Sequence, residues 1–210
     1  MIVISSKLLG LEPKRRDSLV NAALKEFAVK GYDEASTNVI AKEAGMKKAL
    51  MFHYVNSKKE LFLFLCEYCG KIVQEGYYDL LDFNERDLLK RLRQSYMLQI
   101  ELLQKYPWIL EFTQIIKDEK SEEVRGPLKE NVQQPLCYED MFGNIDETKF
   151  REGLDIETCK KLIYWANVGF TSEILNDIQT ARLFELNYKK ITAELDGYLN
   201  ELRKSFYRSI

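Results

Sequence analysis

A single glycine between two short apolar faces constrains this chain more than any other feature. Ile40, Ala41 and Ala44 recur at helical spacing. Gly45 follows at once, where a helix commonly ends in the left-handed conformation. Met51 and Val55 then stand one helical turn apart and set the inward side of a second helix over residues 47–54. Between the two helices there is room only for a tight turn, with Met46 as its plug. Ser36 or Thr37 supplies a hydroxyl to cap the first helix. Lys47, Lys48, Ala49, Phe52 and His53 are left to face outward on the second. Two helices joined this way form a helix-turn-helix, whose second helix is shaped to enter a major groove.

The flanks agree. Residues 14–30 form a helical pattern with Leu19, Ala22, Ala23 and Phe27 on one side, and Gly31 stops it. Three such helices can close a small core around Phe27, Ile40, Met51 and Val55. After the second helix, Ser57 and Glu60 have the spacing of a capping box ahead of a new helix.

Ala41-x-x-x-Gly45, Lys48-Ala49-x-x-Phe52-His53-Tyr54 and Ser57-Lys58-Lys59-Glu60-Leu61 together resemble the DNA-binding domain of the TetR family of bacterial transcriptional regulators. The resemblance covers roughly residues 12–61. It implies a three-helix DNA-binding domain, a C-terminal helical domain that binds a small ligand, and a homodimer on a palindromic operator in double-stranded DNA. It also implies the DNA contacts: Ser36, Thr37, Lys48, Ala49, Phe52, His53, Tyr54 and Lys58, with Lys47 beside them. Within that set, Ser36, Thr37 and Lys58 are expected to hold phosphates. Lys48 and His53, with the apolar Ala49 and Phe52, are expected at base edges. The chain departs from the family pattern at four places. Lys47 stands where Ser is frequent and Ala49 where Gly is usual. Phe52 replaces a common Tyr, so its ring has no hydroxyl to give a phosphate, and Val55 replaces a usual Phe.

Charge is distributed as this reading requires. The whole chain of 210 residues carries only -2. Residues 1–61 hold 11 Lys/Arg against 7 Asp/Glu, whereas residues 62–210 hold 20 against 26. A basic head can attract phosphate while an acidic body stays off the duplex. Only 4 prolines and 10 glycines interrupt the chain, and strand-like alternation is scarce, so the fold is expected to be all-α.

Metal and redox chemistry find little support. Cys66 and Cys69 have C-x-x-C spacing but sit in a strongly helical run, no second pair matches them, and the only histidine is His53. The cysteines read as small apolar fillers, with no metal site and no cofactor expected. The first ten residues are apolar but make a poor signal peptide, and no segment approaches a membrane span. A soluble, cytoplasmic protein with no membrane partner is expected.

Residues 62–210 read as one larger helical domain. Helices are expected over 58–81, 85–105, 108–117, 121–134, 155–178 and 181–205, with an irregular connection at 135–153 holding one helical turn near 148–152. Two stripes, Ile163, Ala166, Gly169, Phe170 and Leu195, Tyr198, Leu199, Leu202, are expected to pair with their copies in a second subunit. The plainer alternative is that both face the subunit's own core. Tyr68, Tyr96, Gln99, Trp108, Phe112 and Trp165 are expected to line a pocket for a hydrophobic or aromatic compound. The reading overall is a transcriptional regulator, a repressor released by its ligand. The alternative is a helical ligand carrier or enzyme with an incidental N-terminal motif. No nucleophile, base or metal cluster stands out to support it.

Overall fold

The computed structural model describes residues 6–118, 121, 123–124, 138–180 and 187–208. Among them the fold is all-α, and the only extended pairing is an isolated bridge between Phe150 and Tyr207. Two compact units are formed: Met1–Asp79 with Leu102–Gln134, and Leu80–Glu101 with Pro135–Ile210. No helix among the described residues is long and apolar enough to cross a membrane.

The first unit opens with a short helix α1 (Ser6–Leu9) that buries Leu8. α2 (Pro13–Glu34) begins at a proline, with the Glu12 carboxylate accepting from the Lys14 and Arg15 N–H groups. Its regular part ends at Gly31, whose φ of 69° suits a residue without Cβ. α3 (Thr37–Glu43) and α4 (Lys48–Tyr54) follow, then α5 (Lys58–Val73). The expected helix to residue 81 is shorter as an α-helix: beyond Val73 the chain widens into a π-turn over Gln74–Tyr78. Ser57 caps α5 by accepting from the Glu60 N–H at 3.1 Å. The Glu60 carboxylate reaches back one residue further than a capping box requires, to the Asn56 N–H at 3.1 Å.

The core of this unit is aromatic. Phe62 meets Phe27 at 5.0 Å, Tyr32 at 5.2 Å and Phe112 at 5.5 Å between ring centroids, each edge-to-face. Phe112 belongs to α7 (Ile109–Asp118), a helix read from sequence as part of the body. Its burial here makes α7 a structural member of the unit that holds the helix-turn-helix.

In the second unit, α6 (Leu88–Lys105) starts three residues later than expected. The cause is Asp87, whose carboxylate accepts from the Leu89 and Lys90 N–H groups and so caps the helix. The division between the units falls within this helix. α8 (Tyr138–Phe142) and a 3-10 turn (Glu147–Lys149) occupy the expected irregular stretch. α9 (Ile156–Thr180) is capped by Asp155, whose carboxylate accepts from the Thr158 N–H at 2.7 Å. α10 (Tyr188–Phe206) is capped by Asn187. The helix expected over 121–134 and the start expected at 181 lie mostly outside the described residues.

Buried charges organise this unit. The Arg91 guanidinium is fully buried and donates to five carbonyls: Phe83, Glu85, Asp140, Met141 and Gly143. Leu88, Leu92, Phe142, Phe150, Ile163, Leu195, Leu199 and Leu202 form the apolar core, with Ala166, Phe170 and Tyr198 packed against it. The stripes expected to meet a second subunit therefore face this unit's own core, apart from the exposed Gly169. What α9 leaves in solvent is a different row: Leu162, Tyr164, Trp165 and Val168.

Candidate DNA-reading surface

The helix-turn-helix is held from both ends. At its start, Ser36 Oγ faces the Val39 N–H at 3.5 Å, and the Ser36 N–H donates to the Glu26 carboxylate at 2.8 Å. A bidentate ion pair from Lys25 to Glu43, at 2.9 and 3.0 Å, clamps α3 to α2. At the turn, the Met46 N–H bonds to the Ala41 carbonyl and the Gly45 N–H to the Lys42 carbonyl. That pair of bonds is a Schellman motif, and it requires the φ of 67° that Gly45 adopts. The glycine is there for its backbone: a Cβ at this site would meet nothing within 4 Å.

α4 is anchored on one side and bare on the other. Met51 and Val55 are fully buried, as the spacing predicts. Lys47 occupies the N-cap position with no side-chain acceptor to offer. Lys47, Lys48, Ala49 and His53 are exposed, while Phe52 and Tyr54 are half-buried. The Lys48 ammonium lies 5.7 Å from the Phe52 ring centroid, and His53 meets Tyr54 edge-to-face at 5.3 Å. Met46, expected as a buried plug, is only partly buried.

One residue on this surface escaped the sequence reading. Leu50 is apolar yet 40% exposed. The signal was available: Met51 and Val55 define the inward side, and Leu50 precedes Met51 by one residue, about 100° round the helix.

Thr37 and Ser36 are half-buried at the start of α3. Lys58, expected at a phosphate, has internal partners. Its ammonium donates to the carbonyls of Asp33 at 2.9 Å and Ala35 at 3.4 Å, and sits over the Tyr32 ring.

Residues 19–65 match the family described as bacterial regulatory proteins, tetR family. Over these residues the chain is similar to the TetR family. Its similarity to curated TetR-type proteins is local. The chain is 44% identical over 55 residues to the HTH-type transcriptional regulator BetI of Agrobacterium fabrum, covering 26% of this chain and 27% of that protein. The same protein of Rhizobium meliloti is 40% identical over a stretch of the same length. The match thus spans about a quarter of these relatives' own length. Similarity of fold extends further. The ketosteroid transcriptional regulator KstR2 of Mycobacterium tuberculosis superposes with a TM-score of 0.56 at 20% identity, covering 95% of this chain and 98% of that one. A TetR family regulator from Chloroflexus aurantiacus gives 0.53 at 15% identity, covering 97% and 98%. At such identities the likeness is one of fold alone.

The six residues expected at a ligand are divided three and three between the units. In the first, Phe112 is locked in the aromatic core, Trp108 precedes α7, and Tyr68 stacks on Phe64 at 5.1 Å. In the second, Trp165 is 61% exposed, and Gln99 donates to the Ser95 hydroxyl. Tyr96 is the best placed of the six. Its hydroxyl lies 2.8 Å from both Asn167 Oδ1 and Thr171 Oγ1, and its ring meets Phe170 edge-to-face. Phe170 stacks in turn on Tyr198, whose hydroxyl is buried with no hydrogen-bond partner among the described residues. On α5, burial pushes the Cys69 thiol up, away from the thiolate that a metal or redox role needs.

Proposed function

We propose that the protein is a DNA-binding transcriptional regulator, a repressor that binds a palindromic operator as a homodimer and is released by a small hydrophobic or aromatic compound. The observation that carries this reading is α4. It is a short helix set by a Schellman turn, with its apolar side buried and its lysines and histidine in solvent. Residues 12–61 are the reading segment, and Lys47, Lys48, Ala49, Phe52, His53, Tyr54 and Lys58 its DNA-facing set, with Ser36 and Thr37 at phosphates.

The pairing surface proposed is the outward row of α9: Leu162, Trp165, Val168 and Gly169. Large apolar side chains left in solvent along one helix suit packing between two copies. Dimerisation also doubles the sequence that can be read, since one recognition helix meets only a few base pairs. Tyr96, Asn167, Thr171, Phe170 and Tyr198 support the ligand reading, as an aromatic wall with polar handles.

The test is a gel shift with duplexes from beside the protein's own coding region, repeated across a salt series. Binding whose logarithm falls linearly with log salt, and which a particular duplex resists losing to random competitor, supports the reading. Equal loss to any competitor refutes it.

A further inference from the structure

We infer that α4 selects thymine methyl groups, and that Leu50 is the side chain that reads them. The inference rests on the proposed DNA-binding role and specifies which base chemistry it recognises.

Three observations lead there. The first is the order of side chains across the outer face. At about 100° per residue, Lys48, Phe52, Ala49, His53 and Leu50 follow one another round α4, opposite the buried Met51. A cation with its aromatic brace stands at one edge, and an isobutyl group at the other. The second is what the helix lacks. None of the residues of α4 carries a carboxylate or an amide. Adenine and cytosine present amino donors in the major groove, which amide and carboxylate side chains ordinarily read. Lys48 supplies donors suited to guanine, and the aliphatic carbons of Ala49 and Leu50 suit the thymine methyl. The third is the state of Phe52. It is half-buried beneath the Lys48 ammonium, so it braces the lysine, while Leu50 stands 40% in solvent. A single exposed leucine is ordinary on a protein surface. At the edge of a basic recognition face, one turn from Lys47 and across the face from Lys48, the partner it meets is duplex DNA.

The experiment begins with the full-length protein and a pool of random duplexes. The tightest duplex is remade with 2′-deoxyuridine in place of each thymidine in turn, which removes one methyl group and no hydrogen-bonding atom. The expected result is about a fourfold loss of affinity at one or two positions in each half-site, the value of one buried methyl. Leu50→Ala, at an exposed site that leaves the fold intact, is expected to bind thymidine and deoxyuridine duplexes alike at one of those positions. A selected duplex indifferent to every such replacement overturns the inference while leaving DNA binding standing. So does sensitivity that persists unchanged in Leu50→Ala. A pool from which no duplex is enriched overturns the DNA-binding reading and this inference together.

Discussion

The Lys58 ammonium stands 4.8 Å from the centroid of the Tyr32 ring. With its bonds to the Asp33 and Ala35 carbonyls, it joins the start of α5 to the loop that leads into α3. The charge that the family pattern assigns to DNA is therefore also a clasp of the unit that holds the helix-turn-helix. An ammonium has three donors, and two are committed here. Lys58→Ala is expected to lower the stability of the first unit by about 1–2 kcal/mol through loss of the cation–π contact and these bonds. It should also reduce the salt slope of DNA binding by about one per site. Lys58→Met keeps the stem over Tyr32 without the charge, and should recover part of the stability with none of the slope. Urea melts and salt titrations of both variants check this.

Phe112 tests the membership of α7. It touches Phe27 and Phe62 in the core beneath the helix-turn-helix. Phe112→Ala is expected to cost about 3–5 kcal/mol and to weaken operator binding with no ligand added. Phe112→Leu fills more of the cavity and should lose markedly less. A Phe112→Ala protein with an unchanged melt would remove α7 from this unit.

Acid should loosen the second unit through Asp87. Burial pushes its carboxyl up, but the Lys149 hydrogen bond, the Arg203 charge and the Lys90 N–H outweigh this and hold it below the ordinary carboxylate range. A depressed folded pKa means stability that is present above the unfolded value of about 3.9 and lost as pH falls through the folded value. The wild type should lose stability below about pH 4 more steeply than Asp87→Asn. At neutral pH that variant should already be weaker by about 2–3 kcal/mol. Denaturant midpoints of both proteins across pH 2.5–7 would show the curves converging at the acid end.

Trp165 and Ile163 separate pairing from folding. Trp165 is exposed and Ile163 fully buried, two residues apart on one helix. Trp165→Glu is expected to give a folded monomer, and Ile163→Glu a protein that does not fold, because its charge would be buried unpaired. Sedimentation velocity beside circular dichroism distinguishes them. A Trp165→Glu dimer as tight as the wild type would move the interface elsewhere.

The helix-turn-helix was legible in the amino-acid order alone. The start of α3, the Gly45 turn and the caps of α5 and α9 are set by local chemistry: a hydroxyl or carboxylate near free N–H groups, and a residue without Cβ where φ must be positive. The inward direction of Met51 and Val55 follows from spacing alone. Tertiary structure decided what spacing leaves open. An apolar stripe states that a helix face is covered, but not by what. Ile163, Leu195, Leu199 and Leu202 could have met a second subunit or their own core, and the fold chose the core, leaving Leu162, Trp165 and Val168 outside. Phe112 could have lined a pocket, and the long-range packing of α7 placed it against Phe27 and Phe62 instead. Lys58 could have been a free cation, and the loop at Tyr32 and Asp33 came to meet it. Each of these depends on residues far apart in the chain, whose meeting is set by the summed packing of whole helices and not by any local preference.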